Sequence, residues 1–188
     1  VRGVHQNILR HRDLYRFYGE WVYGARGYAW WPWAVKWSDD GRMAYLLNED
    51  NACVGAWHLF ARSGDRLYLQ LAVPETRQLR DVATIEESPA WPEYVGGSRR
   101  HHYTLWLGEG NRQFSTLDPF VSDWIFTGDH RSWEVALRQA QYFLTTGGGT
   151  GRGILNPLGS LARMYMETGE SRYAQKANWI AALPGARP

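Results

Sequence analysis

The sequence predicts an all-α fold built from helical hairpins, and three observations carry that prediction. A turn motif occurs three times, apolar residues recur at helical spacing around each copy, and long glycine- and aromatic-rich stretches separate the copies. The copies are ARSGDRLYLQLA (61–72), IFTGDHRSWEVALRQA (125–140) and METGESRYAQKA (166–177). Each runs Ser or Thr, Gly, an acid, two or three polar residues, then Tyr or Trp. Gly64, Gly128 and Gly169 supply the left-handed residue that ends one helix. Asp65, Asp129 and Glu170 put a carboxylate at the positive end of the next, and the two aspartates serve as N-caps. Tyr68, Trp133 and Tyr173 fall in the first turn or so, placed to pack back on the preceding helix.

The elements follow in order. Ala52, Ala56, Leu59 and Phe60 recur at helical spacing before the first turn, Trp133, Leu137, Ala140 and Phe143 after the second, and Leu158, Leu161, Ala162 and Tyr165 before the third. Helices are expected at about 48–62, 66–82, 117–127, 131–145, 157–168 and 171–183. Pro74 should kink or restart the second of these, and Asp118-Pro119 reads as an N-cap followed by proline at the first helical position. Residues 86–116 and 145–156 read as long irregular loops, a kind that is usually functional. The run TTGGGTGRG lacks the lysine and hydroxyl residue of a phosphate loop, so it reads as a tight or flexible connection. The whole chain, 1–188, is read as one helical-hairpin domain.

Composition limits the function. Trp and Tyr number 11 each against six Phe, an excess of rings with an apolar body and a polar edge. The formal net charge of +2 argues against nucleic acid or a membrane surface as a partner, because only Arg99-Arg100-His101-His102 clusters basic residues. Lys36 and Lys176 are the only lysines, so nearly every cation is a planar fork suited to carboxylates and aromatic faces. The single cysteine, Cys53, allows no intrachain disulfide, and no stretch approaches the ~20 apolar residues of a membrane-spanning helix. The start lacks both Met and a signal-like apolar region, so a processed, trimmed or partial chain is expected, with secreted, periplasmic and cytoplasmic locations all open.

Two segments concentrate residues that do chemistry. GYAWWPWAVKW (27–37) holds four tryptophans, and Pro32 with Gly24 and Gly27 keeps it irregular or extended. A wall of such rings is how proteins hold sugars; two of Trp30, Trp31, Trp33 and Trp37 are expected to be core and one or two to face a cleft. SRRHHYTLWLGEGNRQFSTLDPF (98–120) holds Arg99, Arg100, His101, His102, Tyr103, Trp106 and Arg112. Either histidine has the proton affinity for acid–base work near neutral pH. The competing reading is a solvated extended loop with a basic start. Adjacent histidines diverge on an extended chain and have no ligand partners at metal spacing, so no metal site is expected, and no cofactor either. Neither a serine-nucleophile elbow nor an exposed cysteine is present to suggest nucleophilic catalysis. Glu49 and Asp50 fit a first helical turn, but Asp81 in RQLRDVATIEES lies near a helix end where the dipole disfavours an acid, so it needs a partner or a job.

The order YGEWVYGARGYAW, LLNEDNACVGAWHLFARSGDRLYLQLA, RQLRDVATI, a histidine-bearing loop, then DWIFTGDHRSWEVALRQA resembles the helical toroid portion of bacterial exo-acting rhamnogalacturonan lyase-like proteins, over roughly residues 17–180. Trp21, Gly24, Gly27 and Trp30 match that family's aromatic loop, Arg80, Asp81, Val82 and Thr84 its helix end, and His101 and His102 its histidine loop. Ala83 stands where the family has a second acid, and NRQFSTLDPFVSD replaces its His-Thr-Trp entry to the next helix. The resemblance implies an (α/α) toroid, incomplete because three hairpins cannot close a ring, and hence completion by a larger chain or a homo-oligomer through faces bearing Leu161, Tyr165 and Trp179. It implies a polysaccharide lyase acting by β-elimination on an acidic pectin-like oligo- or polysaccharide. His101, His102, Tyr103 and Asp81 are the catalytic candidates, and Trp30, Trp31, Trp106, Arg99, Arg100 and Arg112 the substrate-binding ones. A non-catalytic helical-repeat scaffold and an inverting glycosidase, using two of Asp81, Asp118, Asp123 and Glu49, are the alternatives.

Overall fold

The computed structural model describes residues 6, 9, 29–31, 36–38, 52–102, 105–110, 112–113, 115–146 and 151–183, with the strands at 29–31, 36–38, 99–102 and 105–109 described by their backbone. The fold class is all-α. Among the described residues there are six α-helices: α1 (Ala52–Ser63), α2 (Arg66–Gln78), α3 (Asp118–Thr127), α4 (His130–Thr145), α5 (Arg152–Thr168) and α6 (Ser171–Ala181). Two short antiparallel pieces accompany them. Strands β1 (Ala29–Trp31) and β2 (Lys36–Ser38) pair with Trp30 opposite Trp37, and β3 (Arg99–His102) pairs with β4 (Leu105–Gly110). The chain divides into two compact units, Val1–Leu79 with Arg100–Leu107, and Arg80–Arg99 with Gly108–Pro188.

In the first unit α1 and α2 form a hairpin. Cys53, Ala56 and Trp57 are buried at helical spacing on α1, as are Tyr68, Leu71, Ala72, Glu75 and Thr76 on α2. Thr76 is the polar hub of this core: its hydroxyl accepts from the Trp57 indole at 2.9 Å, lies 3.2 Å from Cys53 Sγ and donates to the Ala72 carbonyl at 2.7 Å. The buried indole therefore keeps its hydrogen bond. Of the two outcomes expected at Pro74, a kink or a restart, the restart does not occur: α2 continues to Gln78 and is followed by a π-helical turn, Leu79–Ala83. Buried residues on both sides of the proline, Leu71 and Ala72 before it and Glu75 and Thr76 after, hold the helix through the missing donor.

The second unit holds the hairpins α3–α4 and α5–α6, around a core that includes Phe120, Val121, Phe143, Ile154, Leu161 and Tyr173, each at most 1% exposed. Helix α5 begins at Arg152, five residues before the expected start, and Pro157 lies inside it. Burial of Ile154 rewards the extra turn, and Gly151 accepts from the amides of Ile154 and Leu155 to start it. At α3 the N-cap is Leu117 rather than Asp118, whose carboxylate instead sits in the first turn. Leu161 is fully buried, contrary to its expected place on an open face, while Tyr165 and Trp179 are about half exposed. No described helix is long and apolar enough to cross a membrane.

The three turns prove to be chemically the same. Gly64, Gly128 and Gly169 have φ of +66°, +76° and +71°, and each donates its amide to the carbonyl four residues back at 2.8 Å. The hydroxyl before each glycine works twice. Ser63, Thr127 and Thr168 donate to the carbonyls of Leu59, Asp123 and Met164 at 2.6, 2.6 and 2.7 Å, and accept the amides of Asp65, Asp129 and Glu170 at 3.1, 3.3 and 3.2 Å. Asp65 and Asp129 then cap the next helix through the amides of Leu67 and Arg131; Glu170, one methylene longer, occupies the N-cap without a side-chain bond. Trp133 packs back on Trp124 with ring centroids 4.6 Å apart.

Candidate functional site

Superposing the turns by their glycines isolates one difference. Five residues before the glycine stand Leu59, Asp123 and Met164; four after it stand Tyr68, Ser132 and Tyr173. In the second copy an apolar pair has become an acid and a hydroxyl, and both are buried. Ser132 donates to Asp123 Oδ2 at 2.6 Å, Thr127 reaches Asp123 Oδ1 at 3.1 Å, and the small serine admits the guanidinium of Arg80. Arg80 enters from the π-helical turn with its side chain 9% exposed. Its Nη1 donates to Asp129 Oδ2 at 2.7 Å and to Ser132 at 3.1 Å, and lies 3.9 Å from Asp123. Its Nε and Nη2 each donate to Asp81 at 2.8 Å.

This arrangement explains the acid that the helix dipole disfavours, since Asp81 is the bidentate partner of Arg80. Hydrogen bonding to Asp81 outweighs burial and keeps Arg80 firmly protonated. At Asp129 burial works to raise the carboxyl, but the hydrogen bond and charge of Arg80 prevail and hold it below its ordinary value. Arg131 extends the ion pairs outward to Glu86 and Glu134, and Glu86 also meets Arg138 at 3.8 Å. Three arginines and five carboxylates are linked here, and the linked groups brace the second turn.

The other site candidates lie as follows. Trp30 and Trp31 are in β1, His101 and His102 in β3, and Trp106 in β4. These five, with Arg100, fall in the first unit; Asp81, Arg99 and Arg112 fall in the second. Within 98–120, for which an extended loop was one of two expected readings, Arg99–His102 and Leu105–Gly110 are paired strands, in keeping with the aromatic and aliphatic run LWL. Tyr103, Trp33, Glu49, Asp50 and the glycines 147–149 lie outside the described residues. Arg112 is half-buried, and its charge acts on Tyr142 and Lys176, neither of which has a signal in the sequence beyond its place on an amphipathic helix.

Glu75 was not anticipated either. It is 2% exposed on α2, and its Oε2 has no hydrogen-bond partner among the described residues. Burial raises its carboxyl well above the ordinary value. Among the described residues no group of three His, Cys, Asp or Glu side chains could hold a metal ion. In comparisons with known proteins, no family model, no curated protein and no solved structure matches the chain.

Proposed function

We propose that this chain is a carbohydrate-active helical domain of the (α/α) toroid type, and that its most specific activity is β-elimination on an acidic pectin-like glycan. The observation that carries the reading is the membership of one compact unit: the tryptophan strand β1 and the segment Arg100–Leu107, bearing His101, His102 and Trp106, both belong to it. Stacking on Trp30 or Trp31 holds a sugar ring by its C–H face. Arg100 offsets the uronate carboxylate, which makes the neighbouring C5 proton more acidic, and His101 or His102 removes that proton. The electron pair left at C5 forms the C4–C5 double bond as the C4–O bond breaks, and the leaving oxygen takes up a proton. Completion of the helical ring, by further chain or by a second copy, belongs to the same reading, because half-exposed Tyr165 and Trp179 occupy helix faces that a neighbouring hairpin would cover.

The test is a panel of uronic-acid polysaccharides followed by ultraviolet absorbance of the unsaturated product. Absorbance that disappears in His102→Ala with binding retained, and binding that weakens in Trp30→Ala with stability retained, are the expected results. New reducing ends without absorbance identify a hydrolase instead. Neither signal, on any substrate, leaves the scaffold reading.

A further inference from the structure

The loop from Ile85 to Gly97, in the second unit, is tied shut at its root. Gly96 donates its amide to the Ile85 carbonyl at 2.8 Å and Ile85 donates to that of Gly97 at 2.9 Å, next to the bridge between Thr84 and Ser98. The tip is wound as tightly. The amides of Trp91, Tyr94, Val95 and Gly97 donate to the carbonyls of Ser88, Trp91, Pro92 and Tyr94 at 3.2, 3.0, 3.2 and 3.0 Å. A compact loop whose ends meet in this way belongs to a class that is frequently functional. Glycines seat it on its neighbours: a Cβ on Gly97 would stand 2.9 Å from Tyr142 Cζ of α4, and one on Gly110 of β4 would stand 3.0 Å from the Tyr94 carbonyl.

On this fixed frame the tip presents apolar surface. Pro89, Ala90, Trp91 and Pro92 are consecutive exposed residues, and Trp91 is 57% exposed. With more than half of the residue in solvent, at least one face of the indole is open. Tyr94 is half-buried, its ring 6.4 Å from that of Trp91 and tilted by 35°, so it flanks the indole and does not cover it. Trp179 differs, because Lys176 lies over its ring at 4.2 Å. A scattered apolar side chain needs no explanation, but a contiguous patch around a flat ring on an immobilised loop does. A ring held in place before its ligand arrives loses little freedom on binding.

Charge narrows the ligand. Residues 81–98 contain no lysine, arginine or histidine, and Glu87 and Glu93 are both exposed, four residues before Trp91 and two after it. Arg131 and Arg138, the cations that reach the root of the loop, are engaged there by Glu86. The tip therefore disfavours anions. An ammonium ion is best held by several rings that enclose it, whereas one open indole with a ring at its flank offers a flat face. The ligand that fits is uncharged, with an apolar face and hydroxyls that carboxylates accept.

We propose that Trp91, flanked by Tyr94, is a stacking platform for a neutral sugar ring, and that Glu87 and Glu93 set its preference for an uncharged ligand. The platform uses residues of the second unit alone, whereas β1 and the segment Arg100–Leu107 belong to the first. It is a binding site in its own right, and it holds sugar whether or not the chain cleaves an acidic one.

Fluorine NMR tests it at the residue itself. The full chain labelled with 5-fluorotryptophan carries one fluorine on each of its eleven tryptophans, and the signal lost in Trp91→Phe is that of Trp91. Titration with the methyl glycosides of galactose, glucose and mannose should shift that signal saturably for at least one of the three. The matching methyl uronide, which adds one carboxylate to the same ring, should bind at least about threefold more weakly, and Glu87→Gln with Glu93→Gln should remove that difference. Tyr94→Phe, which keeps the flanking ring, should leave the Kd unchanged, while Tyr94→Leu should raise it. A Trp91 signal that saturates with none of the three glycosides overturns the proposal. So does a uronide that binds as tightly as its neutral counterpart, or tetramethylammonium saturating the signal where the glycosides do not, which identifies a cation site. Absence of unsaturated product in the lyase assay bears on the proposed reaction and leaves this titration untouched.

Discussion

Arg80→Met removes the cation at the second turn and leaves a carboxylate behind. The cost is set by which partner can recover. Asp81 is half exposed, so water replaces both of its bonds and their loss matters little. Asp129 keeps its cap bond to the Arg131 amide and is partly exposed. Asp123 is different, because it is fully buried and keeps only the hydroxyls of Ser132 and Thr127. Leaving one member of a buried charge pair costs about 3–5 kcal/mol, and the 3.9 Å separation with two surviving hydroxyl contacts puts this case near 3 kcal/mol. In a unit of about 100 residues that corresponds to a fall in Tm of roughly 10–20 °C. Urea and thermal unfolding of the full chain, followed by circular dichroism, measure it. The double variant Arg80→Met with Asp123→Leu, which restores the apolar residue of the first turn, should recover most of the loss. A single variant within about 1 kcal/mol of the parent, or a double variant no better than the single, would refute the reasoning.

Two further outcomes are expected. Glu75 has a folded-state pKa above its unfolded value of about 4.3, so its contribution is fully present below that pH and is lost as pH rises toward the folded value, at about 1.4 kcal/mol per pH unit between the two. Glu75→Gln should flatten that decline and raise Tm at pH 7; an unchanged Tm at pH 7 counts against the upward shift. Gly96→Ala forces a side chain onto φ +90° and against the Arg138 carbonyl, and should cost at least about 2 kcal/mol in unfolding experiments, with a loss below about 0.5 kcal/mol contradicting the close approach.

Helix ends were readable because their signals are local. Serine or threonine, glycine and an acid at Ser63-Gly64-Asp65 act on atoms within five residues, so the motif carries the geometry with it. Pro157 misled for the same reason: the usual rule places proline in the first turn, but burial of Ile154 by tertiary packing extends α5 upstream of it. The role of Arg80 was hidden because its partners Asp129 and Ser132 lie 49 and 52 residues away. One clue was available, since aligning the three copies exposes Asp123 and Ser132 as a coordinated departure from Leu-Tyr and Met-Tyr.

The self-contained turns also bear on the order in which the chain acquires structure. Every bond that closes a turn, from the serine or threonine hydroxyl to the cap amide, joins residues no more than four apart. A hairpin of this kind pays almost no loop-closure entropy and forms from local contacts, the class that sets the fastest folding rates. Each hairpin is therefore ready to assemble as soon as its own residues have been synthesised, while the 49-residue closure from Arg80 to Asp129 must wait for the intervening segment. That segment can lengthen or change sequence at little kinetic cost to the helices on either side.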